Sequence, residues 1–411
     1  MLTRAAYLAA VVFGAFWGTW GSAVPRVRAQ SHLDDGQLGV ALLFVSAGAL
    51  PAMLLAGRAL DRWGLRCAAW LVATLGAAGV ATAVFAEGLV SLCVGLVLVG
   101  VTSGANDVAM NSVGGRAERV SGRPVITRAG GVFSASVVVS SLGAGAAYAA
   151  GASTWVPFAG VLGLAGVAAV AMYRALPSAG ARPSAADSEV APGLRGGGSR
   201  GGGSLGGRAG AGVGALVVVG VLGALAFASE NAHQSWGAIY LVDVFGAGAG
   251  LSALAPAVFA GVVAVTRFGV GALKPGHARV VLVVGAIVAA AGAAVVSRAP
   301  TVGVALAGLV LAAAGTAGLF PTFLSIVSGN VAESARGRAT SIVTVVSYLG
   351  FLLGPVYVGA WAGAAGLRGA MLAVAALGVA LAALTLPLLA VSRYTVEGEP
   401  GERHDRAVDN R

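Results

Sequence analysis

The chain has 411 residues, of which 57% are hydrophobic and only 10% charged. A water-soluble domain carries roughly 25% charge, so a chain whose whole surface meets water is excluded. The formal net charge of +10 does not point to nucleic acid, because the arginines stand singly or in small groups between apolar runs rather than on one basic face.

Apolar runs of about 20 residues are long enough to cross a bilayer as helices, and the sequence offers about twelve such runs. They lie at 5–24, 37–57, 67–86, 88–113, 125–148, 154–174, 211–232, 249–272, 279–297, 301–327, 339–362 and 367–391. The runs show no strand-like alternation, and lipid does not tolerate an open sheet edge. The expected fold class is therefore all-α and membrane-embedded. The first run follows Arg4 in the manner of a cleaved leader. It carries Phe13, Phe16, Trp17 and Trp20 and is followed by many like it, so it is read as a retained first crossing. Cys67 and Cys93 both fall in apolar runs, which predicts neither a disulfide framework nor a metal site.

The loops alternate in charge. Arg58, Arg62 and Arg66, then Arg116, Arg119 and Arg123, then Arg174 to Arg208, then Lys274 and Arg279, then Arg336 and Arg338 fall on one side. Arg26, Arg28, Arg298 and Arg368 fall on the other. The positive-inside rule makes the first side cytoplasmic, with both termini there, in a bacterial inner membrane. Between the sixth and seventh runs, a stretch rich in Gly, Ser, Ala and Arg has too little apolar surface to fold. The expected organisation is a six-helix bundle over 1–176, a flexible cytoplasmic linker over 177–210, a second bundle over 211–392 and a disordered tail over 393–411.

The two halves repeat. Glu118, Gly122 and Arg123 follow the fourth run, and Glu333, Gly337 and Arg338 follow the tenth in the same spacing. Duplicated six-helix units place a solute site between the halves, near the midplane.

The loop after the second run, Gly57-Arg58-Ala59-Leu60-Asp61-Arg62-Trp63-Gly64-Leu65-Arg66, resembles the signature of the major facilitator superfamily, Gly-x-x-x-Asp-Arg-x-Gly-Arg-Arg. Gly57, Asp61, Arg62, Gly64 and Arg66 match, and Leu65 departs. A nearer likeness is to a bacterial branch close to the fucose-type sugar permeases. It is carried by Asn106-Asp107-Val108-Ala109-Met110-Asn111, Gly122-Arg123-Pro124, Ser235-Trp236 with Tyr240-Leu241, and Tyr348 to Pro355. Gly130 stands where that branch has His, and Ser235 where it has an acid. The resemblance implies twelve transmembrane helices in two bundles, and a cavity lined by the first, fourth, seventh and tenth. It also implies a gating loop at Gly57, Asp61, Arg62, Gly64 and Arg66. In such a loop Asp61 would meet the helix start near Thr340 and Ser341, where partial positive charge and free N–H groups favour an acid.

Charged groups in the bilayer are costly, so they usually line a wet cavity. Asp107 and Asn111 share a helix face with Asn106 beside it, and Glu230, Asn231, Gln234 and Trp236 cluster late in the seventh run. With Trp17 and Trp20 these are the candidate solute-binding and coupling residues. Thr316, Phe320, Pro321 and Thr322 come from the tenth run, where Pro321 can free a backbone carbonyl. Other roles compete. Asp107 can pair with Arg128 or Arg62, Glu230 can be solvated at the outer interface, and Trp20 can belong to an interfacial belt. His233 can be purely structural, and Arg267 and Arg128 can reach the cytoplasmic surface.

The sequence has no phosphate-binding Gly-x-x-x-x-Gly-Lys loop, Cys/His cluster or Gly-x-Ser-x-Gly nucleophile. The expectation is a monomeric, non-enzymatic carrier of a small organic solute, sugar-like or amphipathic, with no cofactor. Coupling would be to the proton gradient, through Asp107 or Glu230. Export of drugs or metabolites, and a non-transporting sensor or scaffold, are the alternatives.

Overall fold

The structure, a computed structural model, describes residues 1–177, 212–271, 275–331 and 333–392. The expected linker, apart from residue 177, the expected tail and Lys274 lie outside the described residues. The first six helices are α1 (Leu2–Gln30), α2 (Asp35–Trp63), α3 (Cys67–Phe85), α4 (Leu89–Ser121), α5 (Val125–Ala149) and α6 (Val156–Ala175). Then come α7 (Val213–Phe245), the single turn α8 (Ala249–Ser252), α9 (Leu254–Gly271), α10 (Ala278–Arg298), α11 (Val302–Thr316), α12 (Leu319–Asn330) and α13 (Glu333–Val391).

Among the described residues, 11 helical stretches are long and apolar enough to cross a membrane, with α8 and α9 forming one and α11 and α12 another. At 59 residues, α13 would span about 90 Å at 1.5 Å per residue, three times the hydrocarbon thickness. Its backbone turns at Gly366, where φ is 70° and ψ 172°, a conformation that glycine adopts without strain. The turn divides α13 into arms of 333–365 and 367–391, and the crossings then number the twelve that hydropathy predicts.

Local chemistry sets the helix ends. Asp34 accepts from Gln37 N at 2.8 Å, and the Gln37 side chain reaches back to Asp34 N, a capping box that starts α2. The Glu118 carboxylate accepts from Ile126 N at 2.9 Å, so an acid of the repeated loop motif caps the next helix. Two helices run further than hydropathy suggests. α4 continues to Ser121 and α7 to Phe245, because the polar residues in their later turns find partners inside the protein.

Helices α1 to α6 pack among themselves, α1 against α5, α4 and α6, α2 against α4, and α3 against α4 and α6. The later helices do likewise, chiefly α7 against α13, and α10 against α11 and α13. Lipid offers no hydrophobic drive for helix association, so close backbone approach matters. A Cβ on Gly350 would sit 1.8 Å from Ala224 O, so the α7–α13 contact depends on that glycine.

The two groups are joined at one end and separate at the other. Where α1 ends, one apolar cluster runs through both, taking in Val24, Leu38 and Val45 together with Trp236, Ile239 and Tyr240. A Cβ on Gly39 of α2 would lie 2.8 Å from Pro355 O of α13. Arg28 bridges Asp35 and Asp243, 2.6 Å from each. Ser22 and Ser141 are hydrogen-bonded, and Ser141 donates to Ala253 O at 2.8 Å. At the other end the cores are distinct. One holds Ala5, Leu60, Val113 and Met172, the other Leu216, Leu282, Phe323 and Val343. The molecule is a wedge, closed at the Arg28 end and along α5 and α9, where a Cβ on Gly131 would lie 3.1 Å from the Phe268 ring, with distinct cores towards the Asp61 end.

Candidate functional site

Two acids stand near the middle of long helices on the inner walls of the wedge, Asp107 in α4 and Glu230 in α7. Asp107 is half-buried and lies well around the helix from the exposed stripe of Val90, Val94 and Val101. It accepts from Asn111 Nδ2 at 3.1 Å. Neither Arg62 nor Arg128 reaches it among the described residues, and both are exposed.

Glu230 is not solvated at an outer interface. It is buried, 15 residues before the end of α7 at Phe245. One oxygen, Oε1, accepts from Gln234 Nε2 at 3.2 Å and from an Arg267 terminal nitrogen at 3.0 Å. Arg267 therefore does not reach for the cytoplasmic surface. The reason lies in α12. Pro321 has no N–H, so the carbonyl four residues before it, Ala317 O, has no helical donor. Arg267 Nε donates to that carbonyl at 3.2 Å. The guanidinium is thus held by a proline-freed carbonyl on one side and a buried carboxylate on the other.

The same device recurs beside it. Pro355 cannot donate to Phe351 O, and Asn231 Nδ2 does so at 2.8 Å. Ser235 Oγ donates to Asn231 Oδ1 at 2.8 Å. Asn231 thereby joins α7 to α13.

The remaining candidates divide. Gln234 and Asn111 are exposed and Trp17 half-buried, on helices that line the wedge. Trp17 meets Phe13 and Phe16 edge-on. Trp20 belongs neither to the wall nor to an interfacial belt. It is buried against Phe158 of α6, inside its own group. Trp236 is fully buried in the joined core and its Nε1 meets no acceptor among the described residues. Asn106 is fully buried too, and neither its Nδ2 nor its Oδ1 has a partner among them. His233 stacks on Phe259 and its Nδ1 lies 2.7 Å from Ser229 O, which makes it part of the α7–α9 packing.

In the loop expected to gate, Asp61 and Arg62 are exposed, and a Cβ on Gly57 would meet nothing within 4 Å. Close helix approach at Gly57 is not made in this conformation. Thr340 and Ser341 donate only to carbonyls of their own helix. Gly64 ends α2 with φ 76°. Arg66 donates to Leu176 O at 2.9 Å and stacks over Tyr173, so it fastens α6 within the first group instead of reaching the second.

Comparison with known proteins adds three findings. The family description "Major Facilitator Superfamily" matches residues 274–408. The chain is 32% identical over 130 residues to a protein of Sinorhizobium fredii named "Uncharacterized transporter y4wD". That alignment covers 32% of this chain and 34% of the relative, so the chain aligns over about a third of its curated relative's length. Two solved structures are similar over nearly the whole chain. One is a bacterial homologue of the human lysosomal transporter Spinster in an inward-facing, unoccupied conformation, at TM-score 0.72 and 16% identity, covering 96% of this chain and 98% of that one. The other is the xylose transporter XylE from E. coli in an inward-open conformation, at TM-score 0.72 and 14% identity, covering 94% and 95%. At such identities the likeness is one of fold.

Proposed function

We propose that this chain belongs to the major facilitator superfamily, as the family match over residues 274–408 and the likeness of fold support, and that it is a secondary active transporter. It moves a small organic solute, sugar-like or amphipathic, across the bacterial inner membrane, by exposing a site between its two six-helix bundles to each side in turn. Protons drive the movement. The named relative is a transporter and one of the similar structures carries xylose, which supports a solute of this size.

The observation that carries the reading is the Glu230–Arg267 pair, with Glu230 midway along α7. Placing charged groups there costs about 2.5–3.5 kcal/mol each on insertion scales. A packing role needs no such groups, whereas a carrier needs a carboxylate that can take up and release a proton. Asp107, on the opposite wall, is the second candidate. The Asp61 end is cytoplasmic in this reading, and the wedge opens inward. Asp61, without an ion-pair partner among the described residues, would engage the N-terminus of α13 when that end closes, while Arg28 would release Asp243.

The test is uptake by purified protein in liposomes, screened against a solute library with and without a pH gradient. Accumulation should require the gradient and fall to the level of empty liposomes in Glu230→Gln. Gradient-driven accumulation that survives in both Glu230→Gln and Asp107→Asn would remove the coupling assignment.

A further inference from the structure

The Glu230–Arg267 pair is asymmetric toward the wedge. The Arg267 side chain is 46% exposed and that of Glu230 only 11%. Arg267 shares its helix stripe with Phe259 and Val263, which pack on α11. Val265, about 200° around the helix from Arg267 at 3.6 residues per turn, is 74% exposed. The guanidinium therefore opens into the wedge and not into the bilayer. An arginine carries five N–H donors, and Arg267 directs two of them to Ala317 O and Glu230 Oε1. The others meet no acceptor among the described residues. Glu230, covered by Arg267 and Gln234, is withdrawn from anything entering. A solute thus first meets a fixed, half-open guanidinium whose fork matches a carboxylate.

We infer that the transported solute bears an anionic group of the carboxylate class and that Arg267 receives it, a deepening that rests on the carrier reading above. The two anchors hold the guanidinium plane before the solute arrives, so little side-chain freedom is lost on binding. Asp107, on the facing wall, pairs with no cation among the described residues, whereas Arg267, four residues before the end of α9, is paired and still part-exposed. A neutral solute would leave its spare donors unmatched, and that mismatch discriminates against it.

The experiment uses the full chain in liposomes and paired probes that differ in the acid group, glucuronate against glucose and lactate against glycerol. At least one acid should enter about tenfold faster than its neutral partner, a difference of about 1.4 kcal/mol. Arg267→Gln should abolish that preference and Arg267→Lys should retain part of it. The double variant Glu230→Gln with Arg267→Gln removes both charges, and its elution as a single folded species shows that loss of preference is not loss of fold. Neutral probes entering as fast as acids, or a preference that persists in Arg267→Gln, overturns the inference and leaves the carrier reading standing. No entry of any probe, charged or neutral, with or without a gradient, overturns both.

Discussion

Asp107 and Glu230 stand at similar depth in the two groups but in different company. Asp107 has an amide neighbour, Asn111, and no cation. Glu230 has a guanidinium that is itself anchored by a proline-freed carbonyl. The same residue class on two walls of one wedge thus has an amide neighbour on one side and a guanidinium network on the other. Removing one partner from a network leaves the other unsatisfied, so the second group should respond to single substitutions far more than the first.

The largest contrast is a cycle on the pair. Arg267→Ala strands Glu230, and thermal unfolding in detergent should show a loss of about 1.5–3 kcal/mol, the range for a hydrogen bond to a charged group. Adding Glu230→Gln should restore most of it. Asp107→Asn should stay within about 0.5 kcal/mol, as substitutions away from such networks do. An equal loss for Asp107→Asn would erase the distinction between the walls. Next comes Asn231→Leu, which leaves Phe351 O without a donor and should cost about 1–3 kcal/mol. An unchanged unfolding temperature would mean that the amide is not holding α13 at Pro355. Smallest is Arg28→Ala. A part-exposed pair contributes about 0.2–1 kcal/mol, so the variant should shift the balance between closed and open Arg28 ends by a few-fold without changing stability. Protection of a cysteine placed at Asp243 from an impermeant thiol reagent would report that shift.

The crossings were legible because lipid demands long apolar runs, and Gly366 resolves the longest helix into the expected two arms. Hydropathy ended α7 at 232, however. The polar stretch His233, Gln234 and Ser235 looked like a helix end, whereas each makes its hydrogen bond inside the protein. That misplacement set Glu230 near an interface instead of mid-helix. The freed carbonyl at Pro321 was readable from the chain. Its donor was not, because Arg267 lies 50 residues earlier and reads as a residue that reaches for water. Likewise nothing local ties Asn231 to Phe351, 120 residues on. Asp61 and Gly57 carry a recognisable motif, yet among the described residues Asp61 forms no ion pair and a Cβ on Gly57 would meet nothing within 4 Å.

The account depends on water reaching the level of Glu230 from the Asp61 end. Its most direct test replaces Cys67 and Cys93 by serine, then introduces Gln234→Cys or Val265→Cys and treats inside-out vesicles with a membrane-impermeant thiol reagent. The expected result is rapid labelling at 234 and none at 265. Labelling at 265, or a silent 234, would mean that the helices turn their charged faces elsewhere and that no watered space separates the two groups.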